Sequence, residues 1–240
     1  MFQIKWFLVC FLSYFIIESN AYDVSYIKPC KTDDEACMLA SGQAAIPYFA
    51  AGIPELGVPQ ADPVIIKEVY SEVSNLKLNF TDNKIVGPGK AKILKIERDA
   101  AKQTIKIVIE TPLLITGHYD LQGKILFINA LGNGAYKLHT DKIVVSAEMK
   151  YKVIEKDGNK YWKITGFDYT YDLVQKVYMR LDNLFGGDEV AAKPIHQLFD
   201  ENWKEVITEL GGPIIKKLVT EYVNIIKKFF LSVSANKLGD

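Results

Sequence analysis

Met149-Lys150-Tyr151-Lys152-Val153 places an apolar side chain at every second position with a charge between. Successive side chains of an extended chain point to opposite faces, so this period gives a strand with one dry and one wet face. The same alternation recurs in Leu76-x-Leu78-x-Phe80, Ile105-x-Ile107-x-Ile109, Tyr119-x-Leu121, Tyr136-x-Leu138 and Trp162-x-Ile164. The chain therefore reads as strands from about Val73 to Arg180. Gly87-Pro88-Gly89, Gly132-Asn133-Gly134 and Asp157-Gly158-Asn159 read as the turns between them. Their order suggests an antiparallel meander, and a long strand near 134–156 implies a strongly coiled sheet.

Helical patterns flank this region. Thr32 with Glu35 three residues on reads as a capping box that opens a helix carrying Cys37, Met38, Leu39, Ile46 and Phe49. That helix is expected to kink near Pro47 and end before Gly52. The Pro- and Gly-rich stretch from Gly52 to Pro63 then reads as an ordered extended loop. Near the C-terminus, Ile195, Phe199, Trp203, Val206 and Leu210 recur at helical spacing, and Ile214, Leu218, Tyr222, Ile225 and Phe229 resume the stripe. Gly211-Gly212-Pro213 interrupts it, which predicts two helices or one sharp kink. A short flexible tail is expected to end the chain.

Residues 1–21 have the order of a secretory signal: a basic Lys5, an apolar run from Trp6 to Ile17, and small residues before a cut after Ala21. The run is too short to span a bilayer. The expectation is a secreted mature chain, residues 22–240, that folds as one domain. The full sequence holds 29 Lys and Arg against 29 Asp and Glu and so lacks the basic excess of a nucleic-acid binder. Cys30 and Cys37 are the cysteines of the mature chain, and in an oxidising compartment they read as one disulfide. A zinc site would need further ligands, but His118, His139 and His196 are scattered. Asn79-Phe80-Thr81 is an N-glycosylation acceptor.

No catalytic constellation is present in the sequence. There is no G-x-S-x-G elbow, no H-E-x-x-H and no P-loop, and Gly87-Pro88-Gly89-Lys90 lacks the spacing of a phosphate cradle. Asp33-Asp34 and Asp188-Glu189 stand at helix starts, where the helix dipole favours them. His118 faces away from Ile115 and Tyr119 and reads as a surface histidine. The expectation is a protein without enzymatic activity, metal or cofactor.

Two separated motifs carry a family resemblance. Pro29-Cys30, Cys37, Gly52-Ile53-Pro54-Glu55-Leu56-Gly57-Val58-Pro59 and Asp62-Pro63 form the first. Asn183-Leu184-Phe185-Gly186-Gly187-Asp188 with Phe199-x-Glu201-Asn202-Trp203-Lys204-Glu205-Val206 forms the second. Together they resemble the takeout and haemolymph juvenile-hormone-binding proteins of insects across the whole mature chain. The resemblance implies an α+β fold, a highly curved antiparallel sheet wrapped around a long C-terminal helix with the N-terminal helix alongside, enclosing an apolar tunnel. It also implies the Cys30–Cys37 disulfide. The hormone carriers proper have a second disulfide for which no cysteine remains, which moves this chain toward the takeout branch.

The expectation is thus a secreted, monomeric carrier of a long apolar molecule, such as a terpenoid, fatty acid, carotenoid or quinone, with no nucleic acid and no stable membrane insertion. Burial at about 0.8 kcal/mol per methylene gives a fifteen-carbon isoprenoid on the order of 12 kcal/mol gross, which lost freedom partly offsets. Candidate wall residues on the dry faces are Phe49, Ile53, Leu78, Ile107, Leu121, Phe127, Tyr136, Met149, Trp162, Phe199, Trp203, Val206, Leu210 and Tyr222. Tyr119, Tyr136, Tyr151, Tyr169 and Tyr171 are candidates for the polar group that sets preference. Two other readings make different predictions. A secreted signalling factor predicts a filled interior and an exposed apolar patch. A membrane-active defence protein predicts a cationic tip, for which Lys216-Lys217 and Lys227-Lys228 are the available basic pairs on the helices.

Overall fold

The computed structural model describes residues 24–73, 75–125 and 128–239. The expected leader, residues 1–21, and the wall candidate Phe127 lie outside them. Helix α1 (Glu35–Ala51) opens the described chain and ends before Gly52, as its sequence predicts. Its cap is Asp34 rather than Thr32. The Asp34 carboxylate accepts from the Cys37 amide at 2.9 Å, and the Thr32 hydroxyl is bonded to Arg98 instead. The acid satisfies an orphan donor of the first turn and complements the dipole. The following segment is less extended than expected. Pro54–Leu56 makes a 3-10 turn inside a loop closed by an Ile53–Val58 bridge.

The strands form one seven-stranded antiparallel sheet: β1 (Val64–Val73), β2 (Leu76–Val86), β3 (Lys92–Asp99), β4 (Thr104–Ile125), β5 (Ile128–Lys156), β6 (Asn159–Asp172) and β7 (Tyr178–Leu181). It is not a simple meander. β4 and β5, of 22 and 29 residues, pair along nearly their whole length. Each has two further partners in succession. β3 pairs with the first half of β4 and β2 with the second, while β7 pairs with β5 at 136–139 and β6 with its last half. The sheet starts at Val64, earlier than the alternation suggests, because Lys67 and Glu68 interrupt the period within β1.

Pro112 marks the changeover on β4. It has no N–H for a ladder bond, and it falls between the last β3 pair, Lys92–Glu110, and the first β2 pair, Val86–Leu114. Opposite it the β4–β5 register jumps from Thr111–Ile143 to Leu113–Thr140. The extra residue on β5 is a bulge that moves its buried side chains from odd to even positions. Ile143 and Met149 are buried on one side of it, Leu138 and Tyr136 on the other.

Gly132-Asn133-Gly134 is not a hairpin turn. It lies within β5, paired with Leu121, Asp120 and Tyr119 of β4. The glycines serve close approach by another segment. A Cβ on Gly134 would stand 2.4 Å from the Asp182 carbonyl oxygen, and one on Gly132 would stand 3.0 Å from the Leu184 Cα. The Asp157-Gly158 turn does join β5 to β6, which pair down to Lys156–Asn159.

The C-terminal third holds α2 (Glu189–Glu201), α3 (Trp203–Leu210) and α4 (Gly212–Ser232), one helix more than predicted. The added break is at Asn202, which caps α2 with a non-helical backbone. Asp188 caps its start, accepting from the amides of Val190 and Ala191 at 3.0 and 3.1 Å. Pro213 occupies the first turn of α4, where its missing N–H costs nothing. α4, about 31 Å long at 1.5 Å per residue, lies inside the curled sheet against β1 and β6, while α1 covers β3. The tail is docked: Val233 and Ala235 are buried, and the Cys30 amide donates to the Leu238 carbonyl at 3.2 Å. Among the described residues no helix is long and apolar enough to cross a membrane.

Candidate functional site

The interior between α1, α4 and the sheet is not filled. A cavity of about 330 Å³ lies between them, within the range of small-molecule pockets. Its floor is a rail of alternate β4 residues, Ile105, Ile107 and Ile109, beside Val145, Ala147 and Met149 of β5. Its roof is α4, through Val219, Tyr222, Val223 and Ile226. α1 contributes Met38, Gly42, Ala45 and Phe49. These recur at spacings of four, three and four, which is one face of a helix. The two middle residues are small. Gly42 admits Ile96 and Ile93 of β3, whose Cδ1 atoms stand 2.4 and 3.0 Å from where its Cβ would be, while Ala45 borders the open space above the rail.

A second space of about 60 Å³ continues along β4 toward Leu121 and Leu78, under α3 and Phe199. Leu113, Ile143, Ile215 and Leu218 border both spaces. They form a waist, two from the sheet and two from α4. Leu113 and Ile143 flank the bulge opposite Pro112, so the interruption that splits the sheet also narrows the interior.

Of the wall candidates, Phe49, Ile107, Met149, Trp162 and Tyr222 line the larger cavity, and Leu78, Leu121, Phe199, Val206 and Leu210 line the smaller. Ile53, Tyr136 and Trp203 line neither. Ile53 is pinned in the loop bridge to Val58. Tyr136 spends its hydroxyl on Asn83 Oδ1 at 2.5 Å and packs edge-on against Phe80. Trp203 is a half-buried anchor at the start of α3, packed on the core. Residues not anticipated include Met38, Ala45, Ile93, Ile96 and Arg98. The α1 stripe was readable from its spacing. On β3 the register shift between Ile93 and Lys95 breaks the alternation that would have exposed the others.

The tyrosine hydroxyls do not set the polarity of the large cavity. Tyr119 borders the smaller space but donates to the Asp182 carbonyl at 2.7 Å. Burial, with help from Asp182 and Asp120, pushes its phenol up to about 12. Burial likewise raises Tyr136 and, aided by the charge of Asp62, Tyr222. Tyr222 donates to the Ala61 carbonyl at 3.1 Å. Tyr151, Tyr169 and Tyr171 border neither space.

At the end far from the waist an aromatic run closes the wall. Tyr151, Trp162, Phe230, Phe229 and Phe49 follow one another with ring centroids 5.0–5.8 Å apart. Arg98 lies over the Trp162 ring, 4.7 Å from guanidinium carbon to centroid, a cation–π contact. Nearby, Cys30 and Cys37 are joined in a disulfide, and Cys30 and Leu238 complete the wall. Among the described residues no group of His, Cys, Asp or Glu could hold a metal ion. Asn79 stands on central strand β2, half-buried, its amide nitrogen donating to Glu68 at 2.9 Å.

Comparison with known proteins agrees with this geometry. The family model described as haemolymph juvenile hormone binding protein matches residues 7–240. The chain is 23% identical over 226 residues to the circadian clock-controlled protein daywake of Drosophila melanogaster, covering 87% of this chain and 85% of that protein. It is 22% identical over 220 residues to the daywake protein of Drosophila yakuba, covering 86% and 84%. The crystal structure of Takeout 1 from Epiphyas postvittana superposes with a TM-score of 0.86 at 26% identity, covering 89% of this chain and all of that one.

Proposed function

Since this chain belongs to the haemolymph juvenile hormone binding protein family, we propose that it is a secreted, non-enzymatic carrier of one long hydrophobic molecule. The observation that carries this reading is the apolar cavity of about 330 Å³ between α1, α4 and the β4–β5 rail. A core of this size would ordinarily close to organic-crystal density. Here the small residues Ala45 and Ala147 hold the walls back. An apolar guest restores the missing contacts and gains the hydrophobic term as well. A protein whose tunnel is vestigial would be expected to plug this space, so the open interior favours carriage over a purely signalling role.

The ligand class is a flexible apolar chain, such as a terpenoid, fatty acid, carotenoid or quinone tail, taken up by a monomer. On this reading the leader of residues 1–21 is removed, the Cys30–Cys37 disulfide matches an oxidising destination, and Asn79 is the acceptor for an N-linked glycan. Intact mass before and after glycosidase treatment decides the last point. The carrier reading is tested by titrating cis-parinaric acid into the wild type and into Ala147→Phe, whose ring fills the cavity floor. Saturable micromolar or tighter binding to the wild type, weakened at least about tenfold by the plug, supports it. Absence of binding to the wild type refutes it.

A further inference from the structure

We propose that the β5–β6 hairpin, residues 150–163, is an arm that docks the protein on an anionic lipid surface. The β4–β5 ladder ends at the pair Thr104–Lys150, while β5 and β6 stay paired out to Lys156–Asn159. Beyond Tyr151 the sheet is therefore two strands wide. Both of its faces are open there: every residue from Lys152 to Lys160 is exposed except Ile154, which is half-buried. A two-stranded ribbon is marginal in water by itself, so this projecting length adds little to the fold.

The charges of the arm are sorted by face. Register pairs two residues apart share a face, so Lys152–Lys163, Ile154–Tyr161 and Lys156–Asn159 lie together. That face carries three lysines and no acid. The acids of the arm lie elsewhere, Glu155 opposite Lys160 on the other face and Asp157 in the turn. Lys150, at the root, pairs with Asp168 at 3.5 Å. Among the described residues Lys152, Lys156 and Lys163 have no ion pair. Like charges directly opposite destabilise a ladder, and nothing within the arm offsets Lys152 against Lys163. An external anionic surface would. The apolar pair favours lipid over a purely polar polyanion. Ile154 and Tyr161 sit between lysines on both sides, so the ammonium groups can meet phosphates while these two enter the headgroup layer. Tyr151 and Trp162, at the root, belong to the aromatic run that closes the large cavity. Docking therefore sets that end of the cavity against the bilayer. Only its purpose, the passage of an apolar guest between the two, rests on the carrier reading.

The test is flotation of the full mature chain with vesicles of phosphatidylcholine alone or mixed equally with phosphatidylserine. Binding should need the anionic lipid and should vanish at about 1 M salt, where charge is screened within roughly 3 Å. Lys152→Gln/Lys163→Gln should weaken partitioning at least about tenfold, since each lysine near such a surface contributes about fivefold. The same variant should not lower the melting temperature, because it removes an opposed like-charge pair. Lys216→Gln/Lys228→Gln, which removes as much charge from exposed positions on α4, should bind as the wild type does. No binding to the mixed vesicles, equal binding to both kinds, or an equal loss in the α4 variant would overturn the docking arm. So would binding to heparin or polyglutamate with none to vesicles. Those outcomes leave the cis-parinaric acid titration, and so the carrier reading, untouched. A chain that binds mixed vesicles but no parinaric acid would refute the carrier reading and leave the arm standing.

Discussion

Leu113 on β4 and Ile215 on α4 border both internal spaces, so the sheet and the helix it surrounds meet at the waist that divides them. This contact sets how long a straight guest can be before it must pass the waist. Ile215→Ala removes one side of the constriction and opens the smaller space to the larger. The variant should lose about 2–5 kcal/mol of stability, the range for truncating a buried Ile. In a displacement series of fatty acids of increasing length, its preference should move toward longer chains. An unchanged length preference would mean that the waist does not limit the ligand.

Gly134 is required by the approach of the segment after β7. A methyl group there would stand 2.4 Å from the Asp182 carbonyl oxygen, and the same carbonyl receives the Tyr119 hydroxyl. Gly134→Ala should therefore lower the denaturant midpoint by the equivalent of about 1–3 kcal/mol, the usual cost of overpacking. A neutral effect in chemical denaturation would contradict the mid-strand role.

Alkaline pH should unfold the protein through its buried phenols. Tyr119 is held up to about 12, and Tyr136 and Tyr222 are also raised, in each case chiefly by burial. A proton bound more tightly in the folded state gives stability that is complete below the unfolded phenol value near 10 and is lost as pH rises through the folded value. Stability should thus be flat below pH 10 and fall between about 10 and 12. Phenolate absorbance followed together with circular dichroism should show these tyrosines ionising as the fold is lost. Phenols that titrate fully near 10 in an intact fold would contradict their burial.

The Cys30–Cys37 link closes a loop with a sequence separation of 7, so its effect on chain entropy is small, about 2 kcal/mol. The double variant Cys30→Ala/Cys37→Ala should still fold, with a melting temperature lowered by a few degrees. Failure to fold would show that the bridge is also needed to seat the docked tail, which meets it through the Cys30 amide and the Leu238 carbonyl.

The sheet was legible because alternation survives wherever one face is dry, as at Leu76–Phe80, Ile105–Ile109 and Met149–Tyr151, although Val153, which continues the last pattern, is exposed. What alternation hides is where a strand changes partners. Tyr136 and Leu138 are buried at even positions, and Ile143 and Met149 at odd ones. That change of parity within one 29-residue strand is the signature of the bulge facing Pro112. Gly132-Asn133-Gly134 misleads for a related reason. Residues that allow a tight turn also allow another backbone to come close, and only the tertiary packing of Asp182 and Leu184 decides between the two.

The site was legible by halves. Large apolar residues such as Met149, Leu121 and Phe199 mark the dry faces, and periodicity finds them. The space itself is made by residues that leave something out, Ala45 and Ala147, and a search for bulky apolar residues passes over them. Arg98 escaped for another reason. Its register neighbours Glu97 and Asp99 make the segment read as a solvated charge run, whereas its guanidinium turns inward onto Trp162.

Native mass spectrometry of protein taken from its own source tests the carriage claim most directly, by comparison with the mass after denaturation. The account predicts a difference equal to one apolar small molecule, removed by organic extraction and restored by incubation with a long-chain acid. Identical native and denatured masses, with no uptake of such an acid at micromolar concentration, would contradict it.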